Sequence, residues 1–591
     1  MDQTLSNAFI TQLLQKVIAV FELTNENRFK IAAYQKALDA IERLPRELKN
    51  IWAEGKLRQT EGIGPSMAEH LDELFTDGNS PYFNKIIAQV PESIFPLIKI
   101  PSIGPKRAYK LVTYLKLYNE KTVVDDLVRE AEQGHIRDLE SFGEKSERDI
   151  LEAVSLYKSR ADDGDRIPLP IAYEAAAHVM EYLSAHPHVE RIDSMGSLRR
   201  MVSTIGDVDV AVVADDQYAK EIIAYFTQYP GCIHIDNAGE KKASIIVTPH
   251  IRVDLRIQKK ENYGSMMQYF TGSKAHNIKL RDLALRKGFS LSEYGIKRMD
   301  TSELEEYDNE TSFYRRLGLQ YVPPEIREGN SEIELAQKNK LPQLVELKDM
   351  NGDLHTHSSF PLNPSHDLGQ NSFEEMVEKA KQLGYSYFGF SEHNPAMTST
   401  SREDIIEYLK NKKSAIEKVQ YKYPDIELYS GLEVDISSNG ELAIPKEAIS
   451  YLDYIIASVH SSFAMPVDKM TERVLRGLSY NKVKVLGHPT GRLLGKRQGF
   501  ELNWNQIFNY VYENNIALEI NASLYRLDLP DMLVHEAKKR KVRFAIGSDA
   551  HATDQMDTLI FGVSVARRGW LEKPDIMNAK DKNSFRTWIK E

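Results

Sequence analysis

GSLRRMVSTIGDVDV, residues 196–210, decides how the first half of the chain is built. Its end runs on into DVDVAVVA, an apolar, valine-rich stretch broken only by two acids, which predicts a strand. Residues two apart on a strand project from one face, so Asp207 and Asp209 point the same way. Two carboxylates so placed repel each other without a cation between them. Asp254, in RVDLRI on another predicted strand, completes the set. Three carboxylates can hold two Mg²⁺ ions, one activating a hydroxyl and the other neutralising a triphosphate and its leaving group. Gly196 and Ser197 fall on the turn before a helix, where phosphates are cradled, and Arg199 and Arg200 offer guanidinium forks. A lone D-x-D is most often a solvated edge strand. The upstream G-S-x-R-R and the downstream R-V-D make a metal site the better account.

Around this segment, HVERIDSMGS, ASIIVTPH and HIRVDLRIQ predict further strands of the same sheet, alternating with helices from about 166 to 325. Residues 1 to about 160 carry apolar residues at three and four spacing, as in QLLQKVIAVFEL and KRAYKLVTYLKLY, and predict helices. The polar SRADDGD at 159–165 predicts a hinge. The charged EIREGNSEIELAQKNKLPQ at 325–343 predicts a connection.

Within the helical region EGIGPSMAEHL (61–71), PSIGPKRAYKL (101–111) and SFGEKSERDIL (141–151) repeat a glycine turn followed by a helix. Such a turn leaves backbone N–H groups free at a helix N-terminus, where they bind phosphate oxygens whatever the base. One copy would be an ordinary connection. Repetition at about forty residues favours DNA-backbone binding, with Gly62, Gly64 and Gly104 the candidates. The second copy has Ser102 where glycine is preferred, and the third is incomplete.

From about 350 onward strand and helix alternate. NGDLHTH, YSYFGF, IELYSG, YIIASV, VKVLG, NIALEI and VRFAIG predict seven strands, and parallel strands with helical crossovers imply an α/β barrel or sheet. Ligand-type residues recur at their ends: His355 and His357, then His393, Glu433, His460, His488, Asp549 and His551, with Asp367 in the loop after the first strand. That is where α/β barrels carry their chemistry. One histidine there would mean little. Nine His and carboxylate ligands exceed the needs of one ion and predict two or three, Mn²⁺ or Zn²⁺, with Glu433 as a bridge.

The bulk properties set limits. The single cysteine, Cys232, excludes disulfides within the chain and thiolate zinc sites. No apolar run is long enough to span a membrane, and MDQTLSNAFI lacks the pattern of a signal peptide, so a cytoplasmic protein is expected. The net charge of −10 is unfavourable to phosphate contacts overall, but metal-holding sites are themselves acidic.

With these motifs in place, residues 10 to 330 resemble the family X DNA polymerases. The family's GSxRR…GDxD stands here as Gly196, Ser197, Arg199, Arg200, Gly206, Asp207 and Asp209, and its sugar-sensing YFTGS as Tyr269, Phe270, Thr271, Gly272 and Ser273. The resemblance implies that Asp207, Asp209 and Asp254 are catalytic. It implies that Ser197 and Arg200, with help from Arg166, hold the triphosphate, and that Asn277 and Arg281 lie near the nucleotide and template. The later half resembles the polymerase and histidinol phosphatase (PHP) domain of bacterial members, which implies Mn²⁺-dependent 3′→5′ exonuclease and cleavage at abasic sites. Some positions depart from the families' patterns. His70 stands where animal members carry the lysine that forms an imine with an abasic sugar, and Ser66 stands at a nearby lysine position. Met201-Val202-Ser203 is less polar than usual, Glu392 replaces a common Asp, and His366 rivals Asp367 in a lengthened loop.

The expected architecture is multidomain. It comprises helical, helix-hairpin-helix domains at 1–85 and 86–160, an α/β nucleotidyltransferase palm with thumb, in which the palm spans 161–265 and a C-terminal polymerase subdomain binding nucleotide and template spans 266–325, a linker at 326–349, and a distorted (β/α)7 barrel at 350–591. The expected partners are gapped, nicked or primer-template DNA and deoxynucleoside triphosphates, bound by a monomer. The alternatives are a polymerase with a structural or pyrophosphatase PHP half, or a DNA-binding scaffold carrying a small-molecule phosphoesterase.

Overall fold

A computed structural model describes residues 5–591 apart from 43, 45, 46, 61, 101, 102, 140, 141, 145, 149, 152, 153, 155–165 and 398. The expected hinge at 159–165 and Ser102 lie outside the described residues. The chain divides into two compact units, residues 1–164 and 165–591.

The first unit is helical: α1 (Asn7–Leu23), α2 (Arg28–Glu42), α3 (Leu48–Ala53), α4 (Pro65–Asp77), α5 (Pro81–Ile87), α6 (Ile94–Ile98), α7 (Pro105–Leu115) and α8 (Val123–Glu132). One apolar core, including Leu14, Val17, Leu71, Phe83, Leu111 and Leu127, joins them. The glycine turns are built alike. Ile63 N–H donates to the Thr60 carbonyl and Ala68 N–H to the Gly64 carbonyl; Ile103 with Ile100, and Ala108 with Gly104, repeat this at 3.0–3.1 Å. The incomplete third copy keeps both bonds, Phe142 to Leu139 and Glu147 to Gly143. Gly64 and Gly104 cap α4 and α7, each followed by a proline in the first turn.

The second unit starts with β1 (Ile167–Pro168), which pairs with β3 (Thr204–Ile205). The palm sheet holds β2 (Arg191–Ser194), β4 (Val208–Val213), β5 (Cys232–Ala238), β6 (Lys242–Val247) and β7 (Ile251–Gln258) in the order β2-β4-β7-β6-β5. Only β4 and β7 run parallel within it. β5 escaped the sequence reading because it is a mostly exposed edge strand, with Ile233 and Ile235 facing outward and its second half polar. A meander of β8 (Phe289–Ser292), β9 (Gly295–Arg298) and β10 (Leu304–Glu305) follows. The expected linker is in part structured. The helix Glu332–Gln337 buries Ile333 and Ala336 in the same apolar cluster as Phe313 and Leu317.

The last region is a parallel sheet in sequential order: β11 (Tyr387–Phe390), β12 (Glu427–Asp435), β13 (Tyr454–Ser458), β14 (Val483–Leu486), β15 (Ala517–Asn521) and β16 (Arg543–Gly547). The seventh expected strand, NGDLHTH, is irregular. It still bonds both sheet edges. Gly389 N–H donates to the Asp353 carbonyl and Ser391 to Thr356 on one side, and Asp549 to His355 and His357 to Ala550 on the other, at 2.8–2.9 Å. Buried Asp353 holds this segment, its carboxylate accepting from the N–H groups of His355 and Ser548 at 3.1 and 3.2 Å.

Candidate active sites

The parallel pairing of β4 with β7 sets Asp209 directly opposite Asp254, and Asp207 precedes β4 by one residue. Burial, then the charges of Asp207 and Asp254, push the Asp209 carboxyl up to about 7. That is the signature of a carboxylate cluster built to be neutralised by cations. Gly196 has φ +59, and a Cβ there would stand 2.2 Å from Asp209 Oδ2. Only glycine lets the GSLRR helix start this close to the acids. Arg252 and Arg256 flank Asp254 at the two-residue spacing of the strand. Arg252 Nε lies 3.0 Å from Asp254 Oδ1, and the Arg256 guanidinium covers the Phe270 ring at 4.1 Å.

The two arginines of GSLRR tie this site to YFTGS. Arg199 donates to Thr271 Oγ1 at 2.7 Å and to Glu310 at 2.5 Å, and Glu310 also accepts from the fully buried Arg327 at 2.6 Å. Against the cost of burial, Arg327 and Arg199 hold the Glu310 carboxyl down at about 2. Arg199 is therefore a strut, not an open phosphate fork. Arg200 reaches the Thr271 carbonyl and Glu328, and a Cβ on Gly272 would stand 3.3 Å from its guanidinium. Glu328 also accepts from Arg568, 3.0 Å away in the later half of the chain, and Arg568 donates to the Arg200 carbonyl at 2.8 Å. Tyr269 and Phe270 are half-buried neighbours with ring centroids 5.1 Å apart. Asn277 donates to the Tyr269 carbonyl at 2.7 Å, and exposed Arg281 sits one turn further along that helix. Arg166 is exposed and bonds Thr204 Oγ1 at 2.9 Å, with Gly206 beside it. Ser197 is half-buried in the first helical turn after β2.

In the first unit a Cβ at Gly64 or Gly104 would meet nothing within 4 Å, so packing does not demand glycine there, and the backbone is open to close approach. Gly62 differs: φ is +89 and Ala40 Cβ would be 2.5 Å away. His70 stacks on Tyr82 with centroids 3.8 Å apart.

The second centre gathers on Glu433. His355 Nε2, His357 Nε2, His393 Nδ1 and His460 Nε2 lie 3.2, 3.6, 3.0 and 3.3 Å from its oxygens, and His488 Nε2 lies at 2.9 Å. Asp549 joins His357 at 3.2 Å and His355 at 3.4 Å. His551 stacks on His357 at 4.1 Å. The rivals in the lengthened loop are both present at its rim. Asp367 lies 3.3 Å from His393 and 3.5 Å from His551, while His366 lies 3.2 Å from Asp435. His355 Nε2, His393 Nδ1, His551 Nε2 and Glu433 Oε2 are buried with no hydrogen-bond partner. Orphaned nitrogen and oxygen donors converging in this way fit divalent cations. Three-residue groupings around His357, around Glu433 and around Asp435 allow more than one ion.

Two supporting acids escaped the sequence reading. Glu519, in NIALEI on β15, binds His355 Nδ1 at 2.5 Å and His488 N–H at 2.6 Å. Asp435 binds His460 Nδ1 at 2.5 Å. Each turns the other ring nitrogen toward Glu433, the outer-shell arrangement that orients metal-binding imidazoles. Both could have been found, since Asp435 follows Glu433 by two on one strand face and Glu519 is an acid inside an apolar strand. Against burial, the surrounding carboxylates raise His393 to about 10 and His460 to about 9. Glu392, beneath His393, forms a fully buried ion pair with Lys412.

Comparison with known proteins agrees with this layout. Residues 6–80 match the helix-hairpin-helix domain, 266–328 the DNA polymerase beta thumb and 353–523 the PHP domain. The DNA polymerase/3′-5′ exonuclease PolX of Bacillus subtilis is 31% identical over 583 residues, 98% of this chain and 99% of that protein. A probable phosphatase of Clostridium acetobutylicum is 28% identical over 39% of this chain and 91% of its own length. DNA polymerase lambda of Arabidopsis thaliana is 24% identical over 49% of this chain and 54% of its own length. The fold and the two acidic centres define a nucleotidyltransferase joined to a PHP metallo-phosphoesterase. The chain belongs to the bacterial family X DNA polymerases that carry a C-terminal PHP domain. It binds DNA and depends on divalent metals, and among the described residues no helix is long and apolar enough to cross a membrane.

Proposed function

We propose that the chain fills short gaps in damaged DNA and trims 3′ ends, with the two activities in separate centres. The observation that carries this reading is the pair of acid clusters, Asp207, Asp209 and Asp254 on β4 and β7, and the Glu433-centred histidines at the ends of the last strands. Asp207, Asp209 and Asp254 hold two Mg²⁺, and Ser197 and Arg200, with Arg166, take the triphosphate of the incoming deoxynucleotide. Tyr269 and Phe270 bound its sugar, with Thr271 and Gly272 forming the turn; Asn277 and Arg281 lie toward the template. Gly62, Gly64 and Gly104 belong to the turns that receive the DNA backbone. In the PHP centre His355, His357, Asp367, His393, Glu433, His460, His488, Asp549 and His551 hold two or three Mn²⁺ or Zn²⁺. Such ions supply activated hydroxide and charge neutralisation at phosphate oxygens. The chain's own contribution is orientation: Glu519 and Asp435 fix the imidazoles of His355 and His460. The same centre would cleave at abasic sites. The chain acts as a cytoplasmic monomer, and the domain limits given above apply to it, except that residues 332–337 of the expected linker pack with the subdomain before them.

A 5′-labelled primer on a gapped duplex tests this. Wild type should lengthen it with Mg²⁺ and deoxynucleotides and shorten it with Mn²⁺ alone. Asp207→Asn should abolish only lengthening and Asp549→Asn only shortening. Loss of both activities in either variant, or shortening that survives Asp549→Asn, refutes the two-centre assignment.

A further inference from the structure

Beside the Glu433 cluster stands a surface that the metal ligands do not use. The loop 489–500 turns back at Gly495, φ +74, with Leu493 and Arg497 bridged by backbone bonds. Leu494 N–H donates to the Tyr525 carbonyl at 2.6 Å, so the loop and residues 523–527 form one rim. On this rim two cations cover two rings. Lys496 Nζ lies 4.6 Å from the Tyr525 centroid, and the Arg497 guanidinium lies 3.8 Å from that of Phe463. Tyr525 is 40% exposed. The next residue turns inward, and Arg526 Nε lies 3.4 Å from Asp549 Oδ2, at the edge of the cluster. One step along the chain thus links an exposed ring to the candidate metal centre. At the base of the loop Arg492 donates to the Arg526 carbonyl at 3.0 Å and to Ser203 Oγ, in the palm segment before Asp207, at 3.4 Å.

A small phosphate ester needs only the metals and a cation. A ring beside the metals, with cations around it, serves a ligand that alternates flat bases with phosphates. In a chain of net charge −10, this grouping of Lys496, Arg497 and Arg526 is complementary to a polyanion. We propose that the rim is a strand-binding subsite, taking the last few nucleotides of a single DNA strand frayed from its complement. The exposed Tyr525 ring stacks a base near the scissile bond, and Lys496 and Arg497 meet the flanking phosphates. This rests on the nuclease reading of the PHP centre and adds what selects a polynucleotide over a small ester.

The test compares two substrates in Mn²⁺, a 5′-labelled primer with a mismatched 3′ end and bis(4-nitrophenyl) phosphate. The proteins are full-length wild type, Tyr525→Ala, Tyr525→Phe and the double variant Lys496→Ala/Arg497→Ala. Tyr525→Ala should lower kcat/KM on the strand about tenfold relative to the ester, chiefly through KM, the order expected for losing one stacking platform. Tyr525→Phe should retain most of the activity. The double variant should flatten the salt dependence on the strand. Equal losses on both substrates, or no loss on the strand, overturn the proposal while the nuclease reading stands. A wild type that hydrolyses the ester but never the strand overturns both.

Discussion

Gly196→Ala isolates the geometry of the polymerase centre with one methyl group. The new Cβ would lie 2.2 Å from Asp209 Oδ2. Relief requires roughly 1.3–1.8 Å of movement, since non-bonded heavy atoms prefer roughly 3.5–4.0 Å. The backbone of Asp209 cannot supply it. Its carbonyl accepts Met195 N–H at 2.7 Å, and the residue is paired with Asp254 across the sheet. The carboxylate must therefore rotate out of the cluster. Residue 196 also has φ +59, where an L-residue pays about 1–2 kcal/mol. A displacement of that size at a reacting centre costs on the order of 100-fold in rate. Single-nucleotide gap filling under single-turnover conditions reads this directly, and urea unfolding reads the backbone term. Gly206→Ala is the control, because its nearest neighbour would be Arg166 Nη1 at an ordinary 3.6 Å. Gly196→Ala should lose about 100-fold in gap filling and keep its exonuclease rate. Gap filling close to wild type in Gly196→Ala, or an equal loss in Gly206→Ala, would falsify the placement of Asp209 at the reacting metals.

Three further outcomes follow from the same contacts. Asp209 is raised to about 7, so from about pH 4 to 7 the folded protein holds a proton that the unfolded chain has released, and stability falls as pH rises through that window. In EDTA at pH 8, Asp209→Asn should melt a few degrees above wild type, with the gap closing at pH 5; a lower melting point at pH 8 would sink the assignment. Arg568→Ala removes the hydrogen bonds that hold the Arg200 carbonyl and Glu328, so KM for the deoxynucleotide should rise about tenfold with kcat little changed. A fall in kcat alone would argue that Arg568 only stabilises the fold. Lys412→Met strands Glu392 as a buried unpaired charge and should cost about 3–5 kcal/mol in urea unfolding. The double variant with Glu392→Met should recover much of it, and additive losses would count against a coupled pair.

Much of this was legible because strands and catalytic spacing share a period of two. Asp207 and Asp209 followed from that period, while six of the last seven strands followed from short apolar runs alternating with helices, since strands buried on both faces show no alternation. The helices of the first unit followed from three-and-four spacing. What escaped depends on contacts distant in sequence. No local pattern tells that Arg199 is consumed by Glu310, 111 residues later, or that Glu519 orients His355 from 164 residues away. The segment 326–349 looked like a linker because it is charged. Yet Glu332 is buried, bonded to buried His276 at 2.7 Å, so its polarity is spent inside the fold. NGDLHTH looked like a strand from its neighbours, but its bonds are divided between two sheet edges.

That division has a consequence for synthesis on the ribosome. The segment bearing His355 and His357 is made about two hundred residues before Ser548, Asp549 and Ala550, which bond it along its far edge. Domains emerge and fold from the N-terminus onward. The palm, with all three of its acids, is complete while the metal centre of the PHP half still lacks its last wall. A nascent chain therefore carries all three residues of the Asp207–Asp209–Asp254 cluster before it carries all the residues of the nuclease centre. Any chain released early, before β16, would hold the residues of the first cluster and lack Asp549 and His551 of the second.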